Sequence, residues 1–206
     1  MNIGRPKDLI KHKKILEAAK TLFLRQGYHG SSMNQIAREA GVTKLTIYNH
    51  FQDKESLFAS AIAETCEASL NTRRVQLHAD SNFREDFFKL CQLVMEIVNL
   101  PEAIKLEHLL LELAAEQNPL VTPFYQASHQ RLASVWYDFF HQAGQLGFIQ
   151  QHAVEVQTQL VLSLLFGHRH HEVLLGVRPI PGAEESRQII HNAIELFMLK
   201  YQKSAN

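Results

Sequence analysis

Cysteine is nearly absent from the 206 residues: only Cys66 and Cys91 occur, with no Cys-x-x-Cys pair. That excludes a disulfide scaffold and fits two small apolar residues in a reducing cytoplasm. No apolar run approaches the ~18 residues of a membrane span. The opening stretch MNIGRPKDLIKHKK lacks the apolar segment of a signal peptide, so a cytoplasmic location is expected. Strand-like alternation and hairpin signals are missing. So are HExxH, Walker, GxGxxG and GxSxG motifs, which leaves no recognisable catalytic signature. Repeats and low-complexity tracts are missing too. What remains is 46% apolar and 20% charged, which excludes disorder and a collagen-like chain. A chain of this length buries roughly 70% of its unfolded surface and needs neither disulfide nor metal to fold.

Net charge is also lacking, with 21 basic residues against 21 acidic. The balance hides an asymmetry. Residues 1–57 hold ten Lys or Arg and five acids, whereas the remainder holds eleven and sixteen. A small basic module therefore precedes a larger acidic body, which suggests an anionic partner at one end only.

The apolar spacing is helical throughout. Ile15, Ala18, Ala19, Leu22 and Phe23 form one stripe. Gly27 can stop that helix, with Tyr28 packing back on its last turn. Ser32 and Gln35 read as a capping box before a short stripe of Met33, Ile36, Ala37 and Ala40, ended by Gly41. Thr43 can cap a third helix with Ile47 and Phe51 inward. Asp53 can cap a fourth with Leu57, Phe58, Ala61, Ile62 and Thr65 inward. Beyond residue 74 the pattern predicts helices over 83–100, 103–117, 119–144, 154–176 and 183–203, punctuated by proline and glycine. The expected class is all-α. A three-helix module at residues 1–54 precedes a larger helical bundle at residues 55–206.

Residues 32–57, SMNQIAREAGVTKLTIYNHFQDKESL, place a two-turn helix, a tight Gly41-Val42 turn and a second short helix in succession. This is the helix-turn-helix order. Ile47 and Phe51 occupy the inner face of the third helix. Lys44, Leu45, Thr46, Tyr48, Asn49 and His50 point elsewhere and include no acid, which suits the major groove. The segments AAKTLFLRQGYHGSSMNQIA and AGVTKLTIYNHFQDKESLFASAI resemble the DNA-binding domain of tetracycline-repressor-like (TetR) transcriptional regulators over roughly residues 9–63. Leu45 departs from the small, proline or basic residue common in that family.

The resemblance implies that the third helix enters the major groove. Tyr48 and His50 are then expected on phosphate, and Lys44, Leu45, Thr46 and Asn49 nearer base edges. Lys54 matches a family phosphate contact. Ser32 and Thr43 could add phosphate hydrogen bonds at their helix N-termini. The arm at residues 4–7 could follow the backbone or enter a minor groove. The family plan also implies a homodimer on a palindromic DNA operator, by default repressing transcription. Val161, Leu164, Leu165 and Leu174 on one helix, with Ile190, Ile194, Phe197 and Met198 on the next, are the expected dimer faces. A small-molecule effector is expected in the C-terminal domain, apolar or aromatic in character, near His108, Glu112, Phe124, Trp136, Phe140, Phe166 and His170. Neither a cofactor nor an enzymatic activity is expected.

A rival reading starts from the twelve histidines. His168 and Glu172 stand at i and i+4 within a His-Arg-His-His-Glu run, so one helix face could present both to a metal. A helical metal-binding or catalytic protein is the alternative. The paired Glu-x-x-His motifs of a di-iron bundle are absent from the chain.

Overall fold

The structure, a computed structural model, describes the backbone of residues 6–71 and 75–203 and the side chains of residues 8–64 and 75–203. Residues 4 and 5 of the arm and the side chains of Pro6, Lys7, Thr65 and Cys66 lie outside that description. The described helices are α1 (Pro6–Gly30), α2 (Met33–Ala40), α3 (Lys44–His50), α4 (Lys54–Asn71), α5 (Phe83–Val98), α6 (Pro101–Ala115), α7 (Val121–Tyr125), α8 (Arg131–Gln145), α9 (Val154–Leu165), α10 (Gly167–Leu174) and α11 (Ala183–Tyr201). An isolated bridge between Ile149 and Gln202 is the sole extended pairing among the described residues. The all-α expectation therefore holds.

Contacts divide the chain into two compact units, Met1–Ser69 with Lys105–Gln130 and Leu70–Ile104 with Arg131–Asn206. In the first, Ile15, Ala19, Leu22, Ile36, Ile47, Leu57 and Phe58 close a core that also takes in Leu113 and Phe124. Phe23 meets Phe58 edge to face at 4.9 Å, and Phe58 meets Phe124 at 5.5 Å. In the second, Phe87 is fully buried and touches the rings of Trp136, Phe139, Phe140 and Phe197, with centroids 5.1–6.0 Å away. Such ring pairs add to the large apolar area each aromatic removes from water.

Several boundaries differ from the periodicity reading, each for a local reason. Helix α6 begins two residues earlier, at Pro101, because proline suits the first helical position, where an N–H has no partner anyway. The expected single helix over 119–144 is interrupted by a π-helical turn at Gln126–Gln130. There the Ser128 hydroxyl donates to the Phe124 carbonyl at 2.8 Å and lies 2.9 Å from His129 Nδ1. His129 Nε2 in turn stands 3.1 Å from Glu107. The expected helix over 154–176 breaks at Phe166 and Gly167, where the glycine takes φ +31°. Periodicity sees side-chain faces and is blind to such one-residue changes in winding.

The expected dimer stripes are corrected. Val161, Leu165, Ile190, Ile194, Phe197 and Met198 are buried in the core of their own chain. Leu164 and Leu174 are half-buried. A four-helix packing of α5, α8, α9 and α11 needs those stripes for itself. Large apolar side chains that are exposed in this region include instead Leu196 and Leu199 on α11 and Leu175 and Val177 after α10. That second pair sits on a loop held by ions. Arg169 bonds both oxygens of Glu185 at 2.7 and 3.2 Å and the Pro179 carbonyl at 2.7 Å, while Arg178 pairs with Glu172 and Glu185.

Phe87→Ala should destabilise the protein by about 3–5 kcal/mol, the usual cost of emptying a phenylalanine-sized core site. Urea unfolding followed by circular dichroism measures it, and a loss below about 1 kcal/mol would contradict this packing.

Candidate nucleic-acid interface

The helix-turn-helix is set by backbone groups before any side chain reaches outward. Gly41 adopts φ 65° and ψ 35°, a left-handed conformation that costs a residue with a Cβ about 1–2 kcal/mol. The Gly41 N–H bonds the Arg38 carbonyl at 3.2 Å, and the Val42 N–H bonds the Ala37 carbonyl at 3.0 Å. This pairing closes the last turn of α2 and redirects the chain. Ser32 caps α2, its hydroxyl oxygen accepting from the Gln35 N–H at 3.3 Å and donating to Gln35 Oε1 at 2.9 Å. Thr43 caps α3 by accepting from the Thr46 N–H at 3.1 Å. Asp53 caps α4, taking the Ser56 N–H and hydroxyl at 2.7 Å each. All three caps were legible as Ser, Thr or Asp ahead of an apolar stripe.

Ile47 is fully buried and Phe51 nearly so, which anchors the inner face of α3. Thr43, Lys44, Leu45, Tyr48 and Asn49 are exposed, while Thr46 and His50 are half-buried. Leu45 and Tyr48 are 70% and 44% exposed, high values for side chains of that size. Lys44 Nζ stands 5.8 Å from the Tyr48 ring centroid. The Thr46 hydroxyl lies 2.8 Å from that of Thr43. His50 is turned toward α1: its Nε2 is 3.1 Å from Asp8 Oδ1, and its ring lies beside those of His12 and Phe51. Sequence reasoning had no signal for that partner, because Asp8 lies 42 residues upstream.

Lys54 lies over the Tyr28 ring, 4.2 Å from its centroid. Desolvation lowers the Lys54 pKa from its ordinary value, and burial together with the charges of Glu55 and Asp53 raises that of Tyr28. The ring thus holds the ammonium at the start of α4 by cation–π attraction.

The residues expected near an effector fall into two groups. His108 and Glu112 are exposed one turn apart on α6, and Phe124 is buried in the first unit's core. The other four lie in the second unit. Trp136 and Phe140 stack at 5.7 Å, and Phe166 meets His170 at 5.3 Å. Rings continue from Phe140 to Phe197 and on to Tyr201, at 4.8 Å each. Trp136 Nε1, Thr158 Oγ1 and the Tyr201 hydroxyl are buried and have no hydrogen-bond partner among the described residues. Sequence reasoning missed Thr158 and Tyr201, since neither type is unusual on a helix.

The rival metal reading finds no support at residues 168–172. His168 is almost wholly exposed and stands 3.8 Å from a Glu172 whose other oxygen is taken by Arg178. Among the described residues no three His, Cys, Asp or Glu side chains group to hold a metal ion.

Capped helices crossing at a glycine turn, with an acid-free exposed face, define a helix-turn-helix transcriptional regulator. Comparison with known proteins is in accord. Residues 15–61 match the family model described as bacterial regulatory proteins, tetR family, and residues 85–203 match that of the AefR-like transcriptional repressor, C-terminal domain. The chain belongs to the TetR family of transcriptional regulators, whose members are DNA-binding proteins rather than enzymes. It is 26% identical over 191 residues to the regulator YvkB of Bacillus subtilis, covering 91% of this chain and 95% of that one. It is 28% identical over 158 residues to UidR of Escherichia coli K12, covering 75% and 77%. Among solved structures, a TetR-family regulator from Mesorhizobium loti superposes with a TM-score of 0.85 at 23% identity, covering 97% and 100% of the two chains. The flavonoid-responsive regulator FrrA superposes with a TM-score of 0.79 at 25% identity, covering 95% and 98%. No described helix is long and apolar enough to cross a membrane.

The Asp53 cap makes stability pH-dependent with a definite sign. Hydrogen bonds from the Ser56 N–H and hydroxyl hold the carboxyl below its ordinary pKa. A depressed native pKa contributes stability above the unfolded value, and that contribution is lost as pH falls through the native one. Asp53→Ala should therefore cost about 1 kcal/mol at pH 7, the usual worth of an N-cap. The gap between variant and wild type should narrow in urea melts as the pH is taken down through the native pKa. A pH-independent gap would show that the carboxylate is not what caps α4.

Proposed function

We propose that the protein is a repressor that binds a palindromic operator as a homodimer and is released by a small molecule bound in its C-terminal region. Residues 1–54 read DNA; residues 55–206 carry effector binding and dimerisation. The observation that carries DNA reading is the exposed, acid-free side of α3 opposite a fully anchored inner face. Lys44, Leu45, Thr46 and Asn49 then lie toward base edges, and Tyr48 and Lys54 toward phosphate; His50, 3.1 Å from Asp8, would exchange that carboxylate for a phosphate. Ser32 and Thr43 stand at helix starts, where N–H groups favour anions. One such module spans only a few base pairs. A two-fold dimer places two copies one helical turn apart, ~34 Å, on a palindrome. The exposed Leu199, Leu196, Leu175 and Val177 supply apolar surface for that pairing.

The effector is an apolar or aromatic molecule. Supporting this are the ring series from Trp136 to Tyr201 and the buried, unpartnered Trp136 Nε1, Thr158 Oγ1 and Tyr201 hydroxyl. Such groups in an apolar shell hold the few polar atoms of a largely apolar ligand. Of the seven residues expected from sequence, Trp136, Phe140, Phe166 and His170 belong to this region; His108, Glu112 and Phe124 belong to the first unit. FrrA, similar over nearly the whole chain, is described as flavonoid-responsive. Release follows if the effector binds the DNA-incompetent form more tightly than the competent one.

Selection of duplexes from a random pool tests the DNA reading directly and should enrich an inverted repeat. On the selected operator, Lys54→Ala should weaken binding and lower the salt slope by about one unit, as expected for one lost phosphate contact. An unchanged slope would remove Lys54 from the phosphate contacts. Sedimentation at micromolar concentration should give twice the 23.6 kDa chain mass. Leu199→Glu should shift that mass toward the monomer with helicity unchanged. A wild-type monomer would contradict the dimer.

A further inference from the structure

On the outward side of α3, most polar side chains are engaged within the module. The Thr46 hydroxyl is bonded to Thr43 at the cap, and Lys44 leans over the Tyr48 ring. His50 faces Asp8. Two side chains remain exposed with no partner among the described residues, Leu45 and Asn49. They stand at i and i+4, so they share one strip of the helix surface. Exposure of one leucine alone would mean little. Here it is 70% exposed and shares its strip of the recognition helix with an amide that has no partner among the described residues.

We infer that sequence reading is concentrated in this pair, with Asn49 taking an adenine through its major-groove edge and Leu45 covering the methyl group of a nearby thymine. The inference rests on the major-groove reading of α3 given above and goes further by naming the bases. An asparagine amide has one acceptor and a donor group, which match the N6 donor and N7 acceptor of adenine. Guanine offers two acceptors on that edge, O6 and N7, so the amide oxygen would face another oxygen. Leucine has nothing to bond with and would strip water from any polar base edge without replacing it. The thymine methyl is the one apolar group in the major groove. Side chains four apart on a helix are about 5–6 Å apart, and successive base pairs rise 3.4 Å. The adenine and the thymine methyl therefore lie one or two base pairs apart in each half-site.

The test uses the full chain and the operator recovered by selection. Single positions are replaced by deoxyuridine, which deletes only the thymine methyl, or by 7-deaza-deoxyadenosine, which deletes only N7. Wild type should lose about fourfold in affinity at one thymine, the worth of a buried methyl-sized group. It should lose about tenfold at one adenine, as for a hydrogen bond left unmade. Leu45→Ala should be indifferent to the uracil replacement and Asn49→Ala to the deaza replacement. Both positions are exposed, so neither variant removes core contacts. Wild type unaffected by both replacements, or half-sites enriched only in G·C pairs, would overturn the pairing while leaving DNA binding intact. Enrichment of no duplex at all would overturn it together with the groove reading.

Discussion

The geometry of this protein's DNA-reading end depends on one backbone conformation, the left-handed turn at Gly41. The bonds from Gly41 and Val42 back to Arg38 and Ala37 end α2 abruptly. Thr43 can then restart a helix two residues later. With Ile36 and Ile47 both fully buried, the two short helices are locked at their crossing. A helix of only seven residues has little stability of its own in water. It is held because one face is packed, and the packing of that face presents the other.

Function follows from that division of faces. Local bonding occupies Thr46 and His50, while Lys44, Leu45, Tyr48 and Asn49 stay exposed. Lys54 is held over Tyr28 at the start of α4, so a cation sits at the edge of the reading surface rather than on a free tether. Phosphate contacts orient a protein on the duplex and base contacts select the site. In the module, Lys54 opens α4 while the exposed Leu45 and Asn49 lie on α3.

The second unit follows different physics. Its core is dominated by rings, with Phe87 at the centre of a group that includes Trp136, Phe140 and Phe197. Aromatic cores of this kind bury large area, but their few polar atoms must find partners or pay desolvation. Trp136 Nε1, Thr158 Oγ1 and the Tyr201 hydroxyl have none among the described residues, which sets this region apart from an ordinary helical core. The exposed Leu175 and Val177 sit on a loop stiffened by Arg169, Arg178, Glu172 and Glu185, so the apolar surface there is presented on a fixed frame.

Read as a string, the chain already determined the helical class, the three caps, the glycine turn and the outward face of α3. Each depends on residues within four positions of one another, and local spacing encodes such relations. It also carried the family likeness, because the helix-turn-helix packs its identifying residues into one continuous stretch. Only the tertiary structure decided which stripes stay inside the chain: Ile194 and Phe197 look the same from sequence whether they face a partner or their own core. Only it could show that His50 is turned toward Asp8, that a π turn splits the stretch before α8, and that Lys105–Gln130 clusters with the N-terminal helices. These outcomes join residues far apart in the chain or turn on a single residue of winding, and neither leaves a periodic trace.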